Sequence, residues 1–550
     1  MLNLTIALYA DTKLMEVKGI VIVDSIDAVN PNWVNEFGFH YRGPKFLKSN
    51  EVAAVVTPFI GTTLTTNSLH TLQRNLILLC RDHDHPVIDV FFPEQVVETG
   101  VAQIAILEGK AGKVVVKRLA GKWFSDRFIT NKIRLKPGDP IKESRLLADI
   151  NWLNQNPAFR NVQIAFSQGD VGGATDIHLT EEDHFPLQGT VGYDNEGPKI
   201  IGEDRVSAGA LWGKAFGLDE QLKYVYTTDT SFYHLREHTA NYDIPLPWRN
   251  TLAFFGSYAD VRAEDLPGAL GEKGSSYQIS TRYIIPLPNL GKYTHELSLG
   301  FDFKHSDNNL LFGGTVLAES QTPTEVDQFA GSYRALLPDD WGESDLAVEA
   351  YYSPGNLTSE NNRADFSRAN PADTASEYYY VRFNADRSIT NHHLLGQYSM
   401  LMFKAQAQET DCKLVPSEEM GFGGMTTVRG YDERWVNADR GFVVNSEIHR
   451  LIPLGSLFYS KPEDTIDLLA FCDYGLADVI HPSATASPTH FDLASVGAGA
   501  NYLLRKNVEL KIYYGFQLIR NELGANYLIH NNIPSDHSAS RGHIELLVRF

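Results

Sequence analysis

The chain has 550 residues, more than one compact domain usually holds, and its 43% hydrophobic and 11% aromatic content is that of a folded protein. A formal net charge of −20 leaves no basic face for phosphates and excludes nucleic acid as a partner. Three scattered cysteines (Cys80, Cys412, Cys472) exclude a disulfide framework or a cysteine zinc site, and no window of about 18 apolar residues offers a transmembrane helix.

In chain order, residues 1–16 form an N-terminal segment. Met1 to Ala10 is mildly apolar, but no Lys or Arg precedes it and Asp11 ends it early, so it makes a poor signal peptide. Residues 17–109 read as a small α+β module. Val17 to Asp24 is a strand and Asn50 to Val56 a short helix. Thr66 to Cys80 places Leu69, Leu72, Leu76 and Leu79 at helical spacing behind a cap at Asn67 or Ser68. Val87 to Phe92 and Val101 to Leu107 alternate like paired strands, whereas Ile26 to Lys48 shows no pattern that assigns it an element. Cys80 falls in the core. Asp82-His83-Asp84-His85, between helix and strand, reads as a polar tip because no third metal ligand lies near it, and His392-His393 is read the same way.

Residues 110–182 repeat the order in a shorter frame. Val114 to Leu119 is a strand, Ser125 to Leu135 a helix, and Pro137-Gly138-Asp139-Pro140 a turn. A helix with Leu146, Leu147, Ile150 and Leu153 follows, then strands at Asn161 to Phe166 and Thr175 to Thr180.

From Pro186 the helical period disappears. Sixteen segments of period two run from 187–194 to 541–550, including 393–407 as the eleventh, 441–450 as the twelfth and 465–475 as the thirteenth. Short Pro-, Gly- and Asn-bearing connections alternate with long polar ones, the asymmetry of a membrane barrel. In Thr465 to Leu476 the parity sets Leu468, Cys472 and Tyr474 towards lipid and Asp467, Phe471, Asp473 and Gly475 towards the lumen. In the last strand it separates Ile544, Leu546, Val548 and Phe550 from His543, Glu545 and Arg549. A soluble sandwich or propeller also alternates, but sixteen strands with this loop asymmetry and an aromatic last residue favour an all-β, 16-stranded transmembrane antiparallel barrel over 186–550.

The loop 408–440 is the most informative connection. It carries Gly421-Phe-Gly-Gly424 and Val428-Arg429-Gly430-Tyr431, and Phe471-x-Asp473-x-Gly475 lies one strand beyond the strand that follows it. The pattern predicts a loop folded back into the pore. Arg429 pairs with Asp473, with Glu447 as a second candidate acid, while Gly423, Gly424 and Gly430 allow a tight path and Tyr431 packs on the wall. No G-x-S-x-G, phosphate-binding glycine loop or H-E-x-x-H sequence occurs, so neither an enzyme, a nucleotide, a cofactor nor a metal is expected.

These residues resemble the outer-membrane two-partner secretion transporters of the haemolysin-activator type, within the superfamily of barrel-assembly insertases. Phe92-Pro93-Glu94-Gln95 with Ile106-Leu107-Glu108-Gly109 is similar to the family's first polypeptide-transport-associated (POTRA) domain. Ile133 to Pro140 with Trp152 to Pro157 is similar to the second. Gly192-Tyr193-Asp194-Asn195 resembles the first barrel strand, Val428 to Tyr431 the loop-tip tetrad, and Phe471-x-Asp473-x-Gly475 its partner strand. The resemblance implies two α+β POTRA modules in the periplasm, a barrel in the bacterial outer membrane, and the sixth external loop inside the lumen. It implies secretion of a large haemolysin- or adhesin-like exoprotein as client, with outer-membrane lipid and the barrel-assembly machine as further partners, the latter reading Phe550 as its signal. Client capture by strand addition falls on Val162, Ile164 and Phe166. The alternatives are an insertase for other barrels and a passive porin, which has no use for the N-terminal modules. The family also implies a plug helix and linker before the first module, for which residues 1–16 leave little room.

Overall fold

A computed structural model describes residues 16–550 apart from 31, 34, 64, 94, 96–98, 155, 157, 171–172, 199–200, 264–271, 308–322, 370–373, 391–394, 397, 455–463, 481–488, 506 and 521–538. The expectations for the N-terminal segment, the plug and His392-His393 lie outside the described residues. The chain divides into two compact units after Phe185.

The first unit contains two α+β modules. In the first, β1 (Gly19–Val23), β2 (Gly38–Arg42), α1 (Ser49–Val56), α2 (Thr66–Asp82), β3 (Ile88–Phe91) and β4 (Val101–Glu108) form a four-stranded sheet of order β2-β1-β4-β3 under two helices. Leu72, Leu76 and Cys80 line up at every fourth residue of α2 and bury against Ile20, Ile22 and Ile104. The cap of α2 is Thr65, two or three residues earlier than expected, because its hydroxyl and that of Ser68 satisfy each other's backbone N–H groups. The stretch Ile26 to Lys48 supplies an extra strand: β2 lies parallel to β1, turning Phe39 and Tyr41 onto the core. Five half-exposed residues on a sheet edge carry too little apolar density to announce a strand.

The second module comprises β5 (Lys110–Ala120), α3 (Asp126–Asn131), α4 (Glu143–Asn154), β6 (Phe159–Gln168) and β7 (Ala174–Asp183), with sheet order β5-β7-β6. α3 stops four residues short of Leu135. Asp149 takes the Arg134 backbone N–H at 2.8 Å and the Arg134 Nε at 2.6 Å, drawing the chain out of the helix while Ile133 and Leu135 still reach the core. The polar tip is a joint between the modules. Asp84, at φ 70°, accepts from Ser144 N at 2.6 Å and Ser144 Oγ at 2.5 Å, over the first turn of α4. His85 is buried, stacked on Phe46 at 3.6 Å and paired with Glu108 at 2.7 Å. Sequence proximity showed only the absence of a third ligand; Asp84 finds its partner in the second module and His85 finds its partners in the first.

The second unit is a closed antiparallel barrel of sixteen strands. They are β8 (Leu187–Asp194), β9 (Arg205–Ala215), β10 (Glu220–Asp229), β11 (Leu235–Pro245), β12 (Thr251–Ala263), β13 (Glu272–Pro286), β14 (Thr294–Ser306), β15 (Thr324–Pro338), β16 (Gly342–Pro354), β17 (Glu377–Ile389), β18 (Ser399–Glu409), then β21 (Arg440–Pro453), β22 (Thr465–Asp478), β23 (His490–Leu504), β24 (Val508–Gln517) and β25 (Ser540–Arg549). A short helix, α5 (Arg363–Ala369), sits in the connection after β16, and a hairpin, β19 (Met420–Phe422) with β20 (Val436–Ala438), in the connection after β18. The eleventh barrel strand begins at Ser399 rather than 393, because Tyr398 at φ 71° cannot continue an extended strand.

Parity runs as the alternation predicts. On β22, Leu468, Ala470, Cys472 and Tyr474 are exposed, while Leu469, Phe471, Asp473 and Gly475 are buried. Exposed Ile279, Leu299, Phe329, Val348, Phe383 and Ile512 continue the apolar outer surface. The ladder closes through Glu545–Asp194 to Arg549–Thr190, and Phe550 N donates to Gly189 O at 2.9 Å.

Candidate functional site: a loop pinned inside the barrel

The residues between β18 and β21 turn inward, as the short hairpin β19–β20 and the buried tetrad beyond it show. The path needs backbone that only glycine adopts easily: Gly423, Gly424 and Gly430 have φ of 101°, 105° and 95°. Gly430 also lies against Gly515 of β24, where a Cβ on Gly515 would stand 2.7 Å from Gly430 N. Two facing glycines let loop and wall backbones touch.

Arg429 is 3% exposed and Asp473 fully buried. Arg429 Nε donates to Asp473 Oδ2 at 2.8 Å, Nη2 to Oδ1 at 2.6 Å, and the Arg429 backbone N–H to Oδ2 at 3.0 Å. Glu447 takes the remaining edge, with Oε1 2.6 Å from Nη1. The guanidinium carbon sits 3.6 Å above the Phe471 ring, so one cation has two carboxylates in its plane and an aromatic face below. The structure thus brings together Arg429, Asp473, Glu447 and Phe471. Val428 is fully buried, and a Cβ on Gly475 would stand 2.9 Å from its Cγ2, so the missing side chain on β22 is the seat for Val428. Tyr431 is buried edge-on to Trp435 at 5.7 Å, and its hydroxyl lies 3.2 Å from Ala494 O.

The wall extends the network. Asn445 Nδ2 bridges Asp473 Oδ1 at 2.9 Å and Thr427 O at 2.5 Å. His449 links Glu447 at 2.9 Å to Asp467 at 2.8 Å. Asp432, next to the tetrad, meets Arg541 of β25, which also holds Glu203 at 3.0 Å.

Sequence reasoning missed the loop's root. Glu418 is fully buried, accepting from Lys304 Nζ at 2.7 Å, Gln328 Nε2 at 3.0 Å and the Tyr380 hydroxyl at 2.7 Å. Lys413 is buried between Glu419 at 2.8 Å and Asp439 at 3.1 Å, and Asp439 also accepts from Leu414 N and Ile480 N. Strand parity turns Lys304, Gln328 and Tyr380 inward and was the available signal. A polar cavity of about 550 Å³ remains beside the loop, lined by residues such as Glu196, Arg205, Glu349 and Arg382.

The other expected site residues lie apart from this cluster. Phe550 is 74% exposed at the closing seam. On β6, an edge strand, Val162 is buried in the module core, Ile164 packs partly against it, and Phe166 is exposed. The three share one face of β6, and only Phe166, towards its end, is exposed.

Sixteen strands around an inserted, charge-pinned loop define an outer-membrane transporter barrel. Residues 173–502 match the family described as "Haemolysin secretion/activation protein ShlB/FhaC/HecB", and the chain belongs to that family. The heme/hemopexin transporter protein HuxB of Haemophilus influenzae (strain 86-028NP) is 20% identical over 470 residues, 84% of this chain and 79% of HuxB. The outer membrane transporter CdiB of Dickeya dadantii (strain 3937) is 24% identical over 372 residues, 65% of this chain and 62% of that protein. Among solved structures, CdiB from Escherichia coli superposes with a TM-score of 0.75 at 16% identity, covering 99% of this chain and 92% of that one.

Proposed function

We propose that this outer-membrane barrel secretes a large partner exoprotein through its lumen, and that the loop 408–440, pinned by Arg429, must be released or displaced for passage. The observation that carries the role of the loop is the buried, doubly bridged Arg429 held against Asp473 and Glu447. A neutral packing residue would stabilise a permanent wall at least as well, since burying charge is costly. An ion pair instead holds the loop in one register and can be exchanged for water as a unit. The N-terminal modules act as POTRA domains that hand over the unfolded client, adding it along the free edge of β6 beside Phe166. Lipid surrounds the apolar outer face, the barrel-assembly machine recognises the strand ending at Phe550, and the transporter needs neither nucleotide nor catalytic group.

The test is co-expression with the large exoprotein that this barrel is proposed to secrete. Arg429→Ala and Asp473→Ala each reduce secreted exoprotein at least about tenfold while the folded barrel still reaches the membrane. Arg429→Lys behaves much like the alanine variant, because a lysine cannot bridge two carboxylates in one plane. Secretion at the parental level from both alanine variants overturns the role of the pin. Loss of many unrelated outer-membrane barrels on deletion of the gene would instead favour the insertase.

A further inference from the structure

We infer that His305, Glu325 and Glu360 form a binding site for a divalent transition-metal ion of the zinc type, at the long-loop end of the barrel. His305 and Glu325 are register partners on β14 and β15, and Glu360 arrives from the connection after β16. The ligand atoms of all three lie within 4.8 Å of one another.

The distances carry the argument. His305 Nδ1 is 3.5 Å from Glu325 Oε1 and 3.5 Å from Glu360 Oε2. That is too long for a charge-assisted hydrogen bond, which closes to about 2.7–2.9 Å. One imidazole N–H could in any case serve only one of the two carboxylates. Two ligands each about 2.1 Å from a tetrahedral zinc ion stand roughly 3.4 Å apart, the length of the two edges that meet at His305 Nδ1. His305 Nδ1 and Glu360 Oε2 are also shielded from solvent, so no bulk water takes the place of the missing hydrogen bond. A buried polar atom needs a partner, and an ion or water held between these two supplies one to both.

The three groups are held in place before any ion arrives. Tyr277, the register partner of His305 on β13, stacks on the imidazole at 4.9 Å and 18° and fixes its plane. The Glu360 segment is tied to β15 by Asn361 Nδ2 to Glu325 O at 2.9 Å and Thr358 Oγ1 to Asp327 Oδ2 at 2.7 Å. One imidazole and two carboxylates make a donor set suited to zinc, and two negative charges match the charge of a divalent ion. Three protein ligands leave a fourth position for water. The ion would clasp the segment around Glu360 to the wall, on the side of the barrel that faces out of the cell.

The experiment uses the full-length chain without a polyhistidine tag, folded in detergent, stripped with EDTA and titrated with Co²⁺ and then Zn²⁺. One equivalent of Co²⁺ is expected to give the intense visible bands of a tetrahedral site, bleached by Zn²⁺. Glu360→Gln, in a loop and outside the barrel ladder, and His305→Ala each weaken Zn²⁺ binding at least about tenfold. Heat-modifiable gel mobility reports that each variant is folded; should His305→Ala fail to fold, Glu360→Gln decides alone. Absence of the tetrahedral spectrum, or a folded Glu360→Gln variant that binds Zn²⁺ with parental affinity, overturns the site.

Discussion

Gly475 and Val428 show how one residue sets the position of a whole loop. The wall gives up a side chain so that an apolar one from the loop can enter, and the Arg429 pair forms beside it. Gly475→Val places new atoms where Val428 Cγ2 sits and costs about 1–3 kcal/mol of overpacking, which pushing the loop tip out of its seat relieves. The expected result is protease cleavage within 424–432 in folded, membrane-inserted protein, under conditions that spare the parent; equal resistance would sink the seat. A second residue effect belongs to the soluble modules. Glu181 of β7 is fully buried with Arg118 no nearer than 3.5 Å, and burial, reinforced by Asp183, pushes its carboxyl up to about 7. Its folded pKa lies above the unfolded 4.5, so the folded module binds the extra proton between these values and loses stability as pH rises through that window. The melting transition of the modules should fall by several degrees between pH 5 and pH 8, with the difference on the order of 1–3 kcal/mol. Glu181→Gln should flatten that dependence; an unchanged slope in the variant rules Glu181 out as its source.

At the scale of elements, the inserted loop is held at root and tip by different chemistry. The root around Glu418 is a fully enclosed carboxylate with three donors from three strands and a fourth from the neighbouring Ser417. Removing it by Glu418→Ala leaves the Lys304 ammonium without its counter-ion inside the barrel, a loss of about 3–5 kcal/mol, whereas Glu418→Gln keeps part of the hydrogen bonding and costs less. The alanine variant should lower the temperature at which the folded band is lost on a heat-modifiable gel, with the glutamine variant between it and the parent. If the two behave alike, the charge at Glu418 is irrelevant to the root. The tip could be read from sequence because its parts form a compact string, Val428 to Tyr431, facing an alternating strand that carries Asp473-x-Gly475. The root could not: Glu418, Lys304, Gln328 and Tyr380 are scattered over four segments, and only barrel closure makes them neighbours. The sixteen strands were legible for a related reason. Period two is enforced along every strand by lipid on one side and water on the other, whereas β2 is short, half-exposed and free of that constraint. α3 likewise ended early because of a contact from Asp149, fifteen residues on, which no local propensity contains.

For the whole molecule the question is which way the client goes, and the ladder lengths frame it. β25 and β8 share five register pairs, Glu545–Asp194 to Arg549–Thr190, whereas β21 and β22 share fourteen, Arg440–Asp478 to Pro453–Thr465. At a net contribution of about 0.5–1.5 kcal/mol for each ladder hydrogen bond, the closing seam is the part of the wall most easily opened. An insertase would use such an opening, since its product must leave sideways into lipid. A secretion pore has no need of it, because its client remains hydrophilic and leaves along the axis past the displaced loop. Val191 and Val548 are register partners at the seam, so Val191→Cys with Val548→Cys, joined by a short thiol crosslinker, locks it. Cys472, exposed on the outer face, and Cys412 are first replaced by serine so that the new pair is the only accessible one. Axial export predicts that the locked barrel secretes within about twofold of its reduced form, while locking the loop tip to β25 through Asp432→Cys and Arg541→Cys with the same crosslinker, in place of their ion pair, stops secretion. Loss of secretion on locking the seam alone would show that the wall, and not the loop, is the gate.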